Sequence, residues 1–173
     1  MNFPATRLRR LRSTPAMRAL VRETHLHPGA LVYPLFLCEG EGIRREIGSM
    51  PGVFNLSVDE AVKEAEACAE LGLGGLLLFG LAASKDEQGT GAWIDDGIVQ
   101  RGLRALKQSS AAKSLVLIAD VCLCEYTSHG HCGIVTQTAN GENYIIENDA
   151  TLALLAKAAS SLAAAGSRGS SWE

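Results

Sequence analysis

A chain of 173 residues is long enough for one ordinary domain, and an apolar share of 47% gives it the means to bury a core. A formal net charge of −3 argues against a nucleic-acid binder, and no apolar run approaches the eighteen or so residues that a membrane span requires. Five cysteines, an odd number with no secretory signal, argue against a disulfide framework and for a reducing compartment, by default the cytoplasm.

The first 28 residues interleave Arg7, Arg9, Arg10, Arg12, Arg18 and Arg22 with Leu8, Leu11, Met17, Leu20 and Val21. That mixture suits an arm lying on another surface; a transit peptide and a solvated terminus are the competing readings. Residues 30–37 then read as a buried strand bounded by Pro28-Gly29 and Gly40. Pro34 within it cannot donate to a ladder, so that side is an edge or a bulge. Residues 45–56, punctuated by glycine and proline, read as a loop or a small excursion.

A helix follows from Ser57, where Ser57 and Glu60 form a capping-box pattern. Val58, Val62, Ala65, Cys68, Ala69 and Leu71 keep helical spacing, and Gly72 and Gly74 end the helix. Cys68 on this helix and Cys38 at the end of the first apolar run read as small core residues. Residues 74–80 are a continuous apolar run, as in parallel strands covered on both faces. The polar stretch 81–97 has the length of a functional loop. Residues 98–108 predict a second helix, with Ile98, Val99, Leu103 and Leu106 on one side, and 114–123 a third strand. Residues 133–148 resemble a β-hairpin about an Asn140-Gly141 turn. Residues 149–166 predict a third helix, with Asp149 as N-cap and Gly166 just past its end. The ending 167–173, "SRGSSWE", is polar and supplies no fourth strand.

Alternating strands and helices of this kind build right-handed βαβ units and a parallel sheet. Two α/β architectures fit: an open doubly wound sheet, or the first part of a (β/α)8 barrel, which when complete takes about 250 residues. No glycine-rich phosphate-binding motif follows any strand, which weakens a nucleotide-binding reading.

The chemistry concentrates in "DVCLCEYTSHGHCG", residues 120–133, with the spacing Cys122-x-Cys124-x7-Cys132. Continued as a strand, this segment puts Asp120, Cys122 and Cys124 on one face, and Gly130 gives the backbone freedom to bring Cys132 back. Three converging thiolates suit Zn2+. Three protein ligands leave a fourth position open for water or substrate, the catalytic pattern; His129 or His131 as a fourth ligand would make a closed structural site; a third reading is that the thiols bind nothing. Asp120 is placed to orient a substrate amine or carry a proton, and Ser128 and the histidines to shape a pocket; ordinary hydrogen bonding at a strand end and in a loop is the alternative for each.

These residues also carry a family resemblance. "DVCLCEYTSHGHCG" resembles the zinc-site segment of the δ-aminolaevulinic acid dehydratases, or porphobilinogen synthases. "RLRRLRSTPAMRALVRET", "LVYPLFLCEGEG", "SMPGV", "LFGLAASKDEQGTGAW", "DGIVQRGLRALK" and "NDATLALLAKAASSLAAAG" are similar to that family's arm, strands, loops and helices in order, over residues 7–166. The resemblance implies a (β/α)8 barrel that condenses two molecules of 5-aminolaevulinate to porphobilinogen on the way to haem and other tetrapyrroles. It implies Cys122, Cys124 and Cys132 as ligands of a catalytic zinc and Asp120 as an active-site carboxylate. His131 matches a histidine that touches a second metal in some members. The arms of the family wrap neighbouring barrels in a homo-octamer, which makes the arginine-rich N-terminus an assembly element.

The expected organisation is an arm over 1–28, a partial barrel over 29–166 and an atypical, truncated tail over 167–173. The family's two Schiff-base lysines lie on later barrel strands; Lys63, Lys85, Lys107, Lys113 and Lys157 match neither. The expectation is therefore a porphobilinogen synthase by lineage whose present segment is inactive alone. The alternative is a non-catalytic zinc-binding fragment that docks on a full-length barrel.

Overall fold

The computed structural model describes residues 4–5, 9–137, 144–167 and 169–170. Its centre is a parallel array of β1 (Val32–Cys38), β4 (Gly75–Leu81), β5 (Val116–Ala119) and β8 (Gly169–Ser170). β2 (Arg44–Ile47) and β3 (Met50–Leu56) extend the sheet beyond β1, giving the order β2-β3-β1-β4-β5-β8. α1 (Pro15–Leu20) lies in the N-terminal arm, and α2 (Val58–Glu70), α3 (Ile98–Gln108) and α4 (Asn148–Ala165) connect the parallel strands. β6 (Val135–Gln137) and β7 (Tyr144–Ile146) pair separately as an antiparallel ribbon.

β1, β4, β5 and β8, the strands that helices connect, are neighbours in chain order and all lie to one side of β1; β3, parallel to β1 on its other side, is reached from β2 without a helix. A doubly wound sheet needs a reversal in the order of its helix-connected strands; a barrel does not. The two faces agree with the barrel reading. Leu35, Leu37, Leu76, Leu78, Leu117 and Ala119 are buried in one core with Ala61, Ala65 and Cys68 of α2, Val99, Leu103 and Leu106 of α3, and Ala158 and Leu162 of α4. The alternate residues Phe36, Leu77, Phe79, Leu81 and Ile118 are only half-buried, with Phe36 stacked on Phe79 at 5.2 Å between centroids. The helices cover one face, and the opposite face, a barrel's interior, keeps its apolar side chains partly open.

Close packing sets where glycine is needed. A Cβ on Gly102 of α3 would lie 2.4 Å from Leu37 Cδ1, so this helix approaches β1 only because the side chain is missing. α2 buries Ala61, Ala65 and Cys68, and α4 buries Thr151, Leu154, Ala158, Leu162 and Ala165, each set at helical spacing. Both cysteines expected in the core, Cys38 and Cys68, are there. Pro34 sits where β1 has only β4 as a neighbour, because β3 pairs with β1 solely at Phe36↔Asn55 and Leu37↔Leu56; the missing N–H costs no ladder bond.

Four expectations need correction. Of the two readings of residues 45–56, the loop is overturned and the small excursion stands: they are largely strand, β2 against β3 in antiparallel pairing with a bulge at Glu46/Ile47. Their side chains are mostly exposed, so the sequence shows no strong alternation; Arg44 over the Phe54 ring at 4.4 Å ties the pair instead. Ser57 is the N-cap of α2, but no capping box forms. Its Oγ donates to Asp59 (2.6 Å) and accepts from the Ile43 N–H (2.9 Å), while Glu60 pairs with Lys63 at 2.5 Å. The cap of α4 lies two residues earlier than expected, at Glu147 rather than Asp149, and the helix begins at Asn148. A fourth parallel strand does follow α4: Gly169 and Ser170 pair with Ile118 and Ala119. Two small residues carry no apolar signal, and only the backbone ladder shows them as strand. The expected hairpin is present as β6 and β7, and its Asn140-Gly141 turn lies outside the described residues. Among the described residues no helix is long and apolar enough to cross a membrane.

Candidate metal centre

β5 delivers the cysteine segment to the C-terminal end of the sheet. The Asp120 N–H donates to the Leu78 carbonyl at 3.1 Å, one ladder bond past the end of the strand. Asp120 thus keeps the phase of Val116 and Ile118 and belongs to the partly open face. Beyond it the chain stops being a strand. The N–H groups of Tyr126 and Thr127 both donate to the Leu123 carbonyl at 2.9 Å, closing a turn over 123–127.

That turn, rather than strand alternation, brings the first two cysteines together. Extended residues two apart are separated by about 6.6 Å along the strand. Here Cys122 Sγ and Cys124 Sγ are 3.3 Å apart. The ligand atoms of Cys122, Cys124 and Cys132 all lie within 4.8 Å of one another, the first two half-buried and the third exposed. Three sulfurs this close can share one ion, and three soft donors are the set that zinc accepts.

A neighbouring loop fixes this arrangement. The Asp86 N–H donates to the Tyr126 carbonyl (3.2 Å) and the Ser128 N–H to the Asp86 carbonyl (2.8 Å). Asp86 is itself held by the N–H groups of Gln88 (2.9 Å) and Thr90 (3.0 Å). Hydrogen bonds from Thr90 and these amides keep its carboxyl below the usual range. The polar stretch 81–97 therefore acts here as a buttress for the cysteine turn. Underneath, Tyr126 is 6% exposed and packs over Gly80 of β4.

The histidines are elsewhere. His129 uses both ring nitrogens locally: Nδ1 accepts from the His131 N–H (3.2 Å), and Nε2 lies 3.3 Å from the Glu87 carbonyl. That carbonyl only accepts, so the proton sits on Nε2. His131 stacks between His129 and Tyr144, at 5.5 and 5.2 Å between centroids. Among the described residues no histidine joins the three sulfurs. Ser128 and His129 instead line a cleft of about 610 Å3 with Glu87, Gln88, Ile134, Val135 and Tyr144.

Burial raises the pKa of the Cys122 thiol, and raises that of Cys124 strongly, with Cys122 and Glu125 adding to it. Burial, with the charges of Glu125, Asp120, Cys122 and Cys124 nearby, likewise pushes the Tyr126 phenol up. So many groups that ionise to anions in one half-buried spot disfavour one another's charge; a dication among them would reverse that. Sequence reasoning passed over Glu125. Its carboxylate forms a second close set with Asp120 and Cys122, also within 4.8 Å, and its Oε2 is buried without a hydrogen-bond partner among the described residues. The signal was a carboxylate directly after C-x-C.

None of the five lysines is on a strand of the sheet, and all are exposed: Lys63 on α2, Lys107 on α3, Lys157 on α4 over the Trp93 ring at 5.1 Å, Lys113 in a short 3-10 turn and Lys85 in the 81–97 loop.

Comparison with known proteins agrees with the geometry. The family model for delta-aminolevulinic acid dehydratase matches residues 5–169. The delta-aminolevulinic acid dehydratase of Synechococcus elongatus is 48% identical over 95% of this chain and 49% of its own length. That of Methanothermobacter thermautotrophicus is 48% identical over 96% of this chain and 49% of its own length. The crystal structure of the Toxoplasma gondii enzyme, delta-aminolevulinic acid dehydratase (porphobilinogen synthase) in complex with its reaction product porphobilinogen, superposes with a TM-score of 0.85 at 35% identity. That match covers 95% of this chain and 46% of the other. The chain spans about half the length of the relatives it matches, and the fold is the corresponding part of their barrel. The chain belongs to the delta-aminolevulinic acid dehydratase family.

Proposed function

We propose that this chain carries the metal-binding half of a porphobilinogen synthase, the enzyme that condenses two molecules of 5-aminolaevulinate. The observation that carries the reading is the convergence of the Cys122, Cys124 and Cys132 sulfurs within 4.8 Å at the C-terminal end of β5, the end at which barrel enzymes place their chemistry. These three residues would hold Zn2+, which when bound supplies a Lewis acid for a substrate carbonyl or hydroxyl oxygen. Asp120, half-buried on the barrel's inner face, would orient a substrate amine and hold a proton at its carboxylate. Tyr126 and the 81–97 loop keep the thiols in place and water out from below.

Imine formation on a protein amine needs a lysine with lowered pKa beside the bound carbonyl. The five lysines here are on helix exteriors and loops. These 173 residues are therefore proposed to bind metal and to leave covalent catalysis to the remaining strands of the barrel. The arm, with Leu11, Leu20 and Leu26 exposed by 57%, 79% and 87%, suits a surface that packs on another subunit of an oligomer.

The test is a chimera in which residues 1–170 are joined to the second half of the Synechococcus elongatus relative. It is expected to form porphobilinogen from 5-aminolaevulinate, while the same chimera carrying Cys122→Ser or Cys124→Ser is not. The 173-residue chain alone is expected to give none. A folded, zinc-loaded chimera without turnover, or turnover by the chain alone, contradicts the proposal.

A further inference from the structure

Glu125 is the residue of the cysteine turn that neither the metal ligands nor the fold accounts for. Its carboxylate lies within 4.8 Å of Cys122 Sγ and of the Asp120 carboxylate. Its second oxygen, Oε2, is out of contact with solvent and accepts from nothing among the described residues. The three ion pairs among those residues, Arg44–Glu64, Lys63–Glu60 and Arg101–Glu39, leave Glu125 without a cation. A buried carboxylate oxygen is costly unless a donor or a cation satisfies it. Among the described residues no ion pair of Glu125 recovers that cost, and its Oε2 has no hydrogen-bond partner.

We propose that Glu125 is a positioning residue for the metal's fourth, oxygen ligand: its Oε2 accepts the hydrogen bond of a water or hydroxyl held beside the three sulfurs. Three thiolates leave one position on a tetrahedral ion. An oxygen ligand there carries the donor hydrogen that Oε2 lacks, and partners of this kind fix the orientation and strength of what the metal holds. The carboxylate also selects the ligand. It favours a species that donates a hydrogen bond and disfavours an anion with no hydrogen to give. The inference rests on the reading that the cysteines hold a metal, and its test separates the two.

The protein is loaded with Co2+ in place of Zn2+ and titrated with thiocyanate, following the visible bands of the cobalt ion. Wild type is expected to show thiolate-to-cobalt charge transfer and to bind thiocyanate weakly. Glu125→Gln, which presents a donor in place of an acceptor, is expected to bind thiocyanate on the order of tenfold or more tightly. Glu125→Asp keeps the charge and withdraws the oxygens by one methylene. Positioning predicts that it behaves like Glu125→Gln, whereas a mere charge effect predicts that it behaves like wild type. Circular dichroism and the charge-transfer band of each variant establish that it is folded and metal-loaded; Glu125→Ala serves where Glu125→Gln does not fold. Equal thiocyanate affinity in wild type and Glu125→Gln, or wild-type behaviour of Glu125→Asp, overturns the inference. Absence of the charge-transfer band in wild type overturns the metal reading instead.

Discussion

Gly80→Ala probes the link between the sheet and the cysteine turn. A Cβ at Gly80 would lie 2.2 Å from Tyr126 Oη, 2.7 Å from Val99 Cγ2 and 2.9 Å from Ile98 Cγ2. Ordinary contacts are about 3.5–4.0 Å, so the tyrosine must retreat by about 1 Å while α3 gives way on the other side. Tyr126 is 6% exposed, and its carbonyl accepts the Asp86 N–H at 3.2 Å. Its displacement therefore reaches both the cysteine turn and its buttress. Overpacking of this kind costs about 1–3 kcal/mol, and we expect about 2 kcal/mol in urea denaturation. Apparent zinc affinity, measured by competition with a chelator, should fall as well. Tyr126→Phe removes the closest atom, so the double variant should recover at least about 0.5 kcal/mol of the sum of the single effects. Gly48→Ala is the control: nothing lies within 4 Å of its added carbon, and its stability should stay within about 0.5 kcal/mol of wild type. A Gly80→Ala protein with the wild-type urea midpoint and wild-type zinc affinity would refute the packing argument.

Three further outcomes follow from the same structure. Ser57 is 0% exposed, and Ser57→Ala leaves the half-buried Ile43 N–H without its side-chain acceptor, which should cost about 1–3 kcal/mol by chemical denaturation; a loss below about 0.3 kcal/mol contradicts it. Zinc must displace the protons that burial holds on Cys122 and Cys124. A raised thiol pKa means more proton to displace as pH falls, so apparent affinity should drop about tenfold per proton per pH unit, about a hundredfold per unit for the two and about ten-thousandfold between pH 8 and 6; a flat chelator competition over that range contradicts it. Cys132→Ser should weaken zinc binding strongly while leaving the denaturation midpoint of the metal-free protein within about 0.5 kcal/mol, because Cys132 is exposed and packs into no core; an unchanged zinc affinity argues against its ligand role.

Much of the architecture was legible because burial writes a pattern into sequence. The runs that became β1, β4 and β5 are apolar and continuous, and α2, α3 and α4 keep helical spacing, since each must face one shared core. What escaped was structure that buries little. β2 and β3 are mostly exposed, and Gly169–Ser170, whose pairing with β5 shows in the backbone ladder, is two small residues with no apolar pattern to read. The cap of α2 was found at the right residue for the wrong reason, because Ser57 turned toward Asp59 and Ile43, partners that only the tertiary fold supplies.

The site divides in the same way. The three cysteines were visible by type and spacing, and the family resemblance narrowed their chemistry. How they meet was misread: strand geometry would hold Cys122 and Cys124 apart, and the turn at Leu123 brings them to 3.3 Å. The histidines looked equally well placed in sequence, yet local hydrogen bonding and stacking occupy His129 and His131. Glu125 was hidden because a lone carboxylate in a loop reads as solvated; only burial of its Oε2 beside two thiols marks it.

The central claim is that Cys122, Cys124 and Cys132 together hold one zinc ion. X-ray absorption at the zinc edge of the purified, stoichiometrically loaded chain measures it directly. The expected result is one zinc per chain with three sulfur scatterers at about 2.3 Å and one oxygen at about 2.0–2.2 Å. A first shell without three sulfurs, a shell with an imidazole in place of the oxygen, or failure to retain one equivalent of zinc would contradict it.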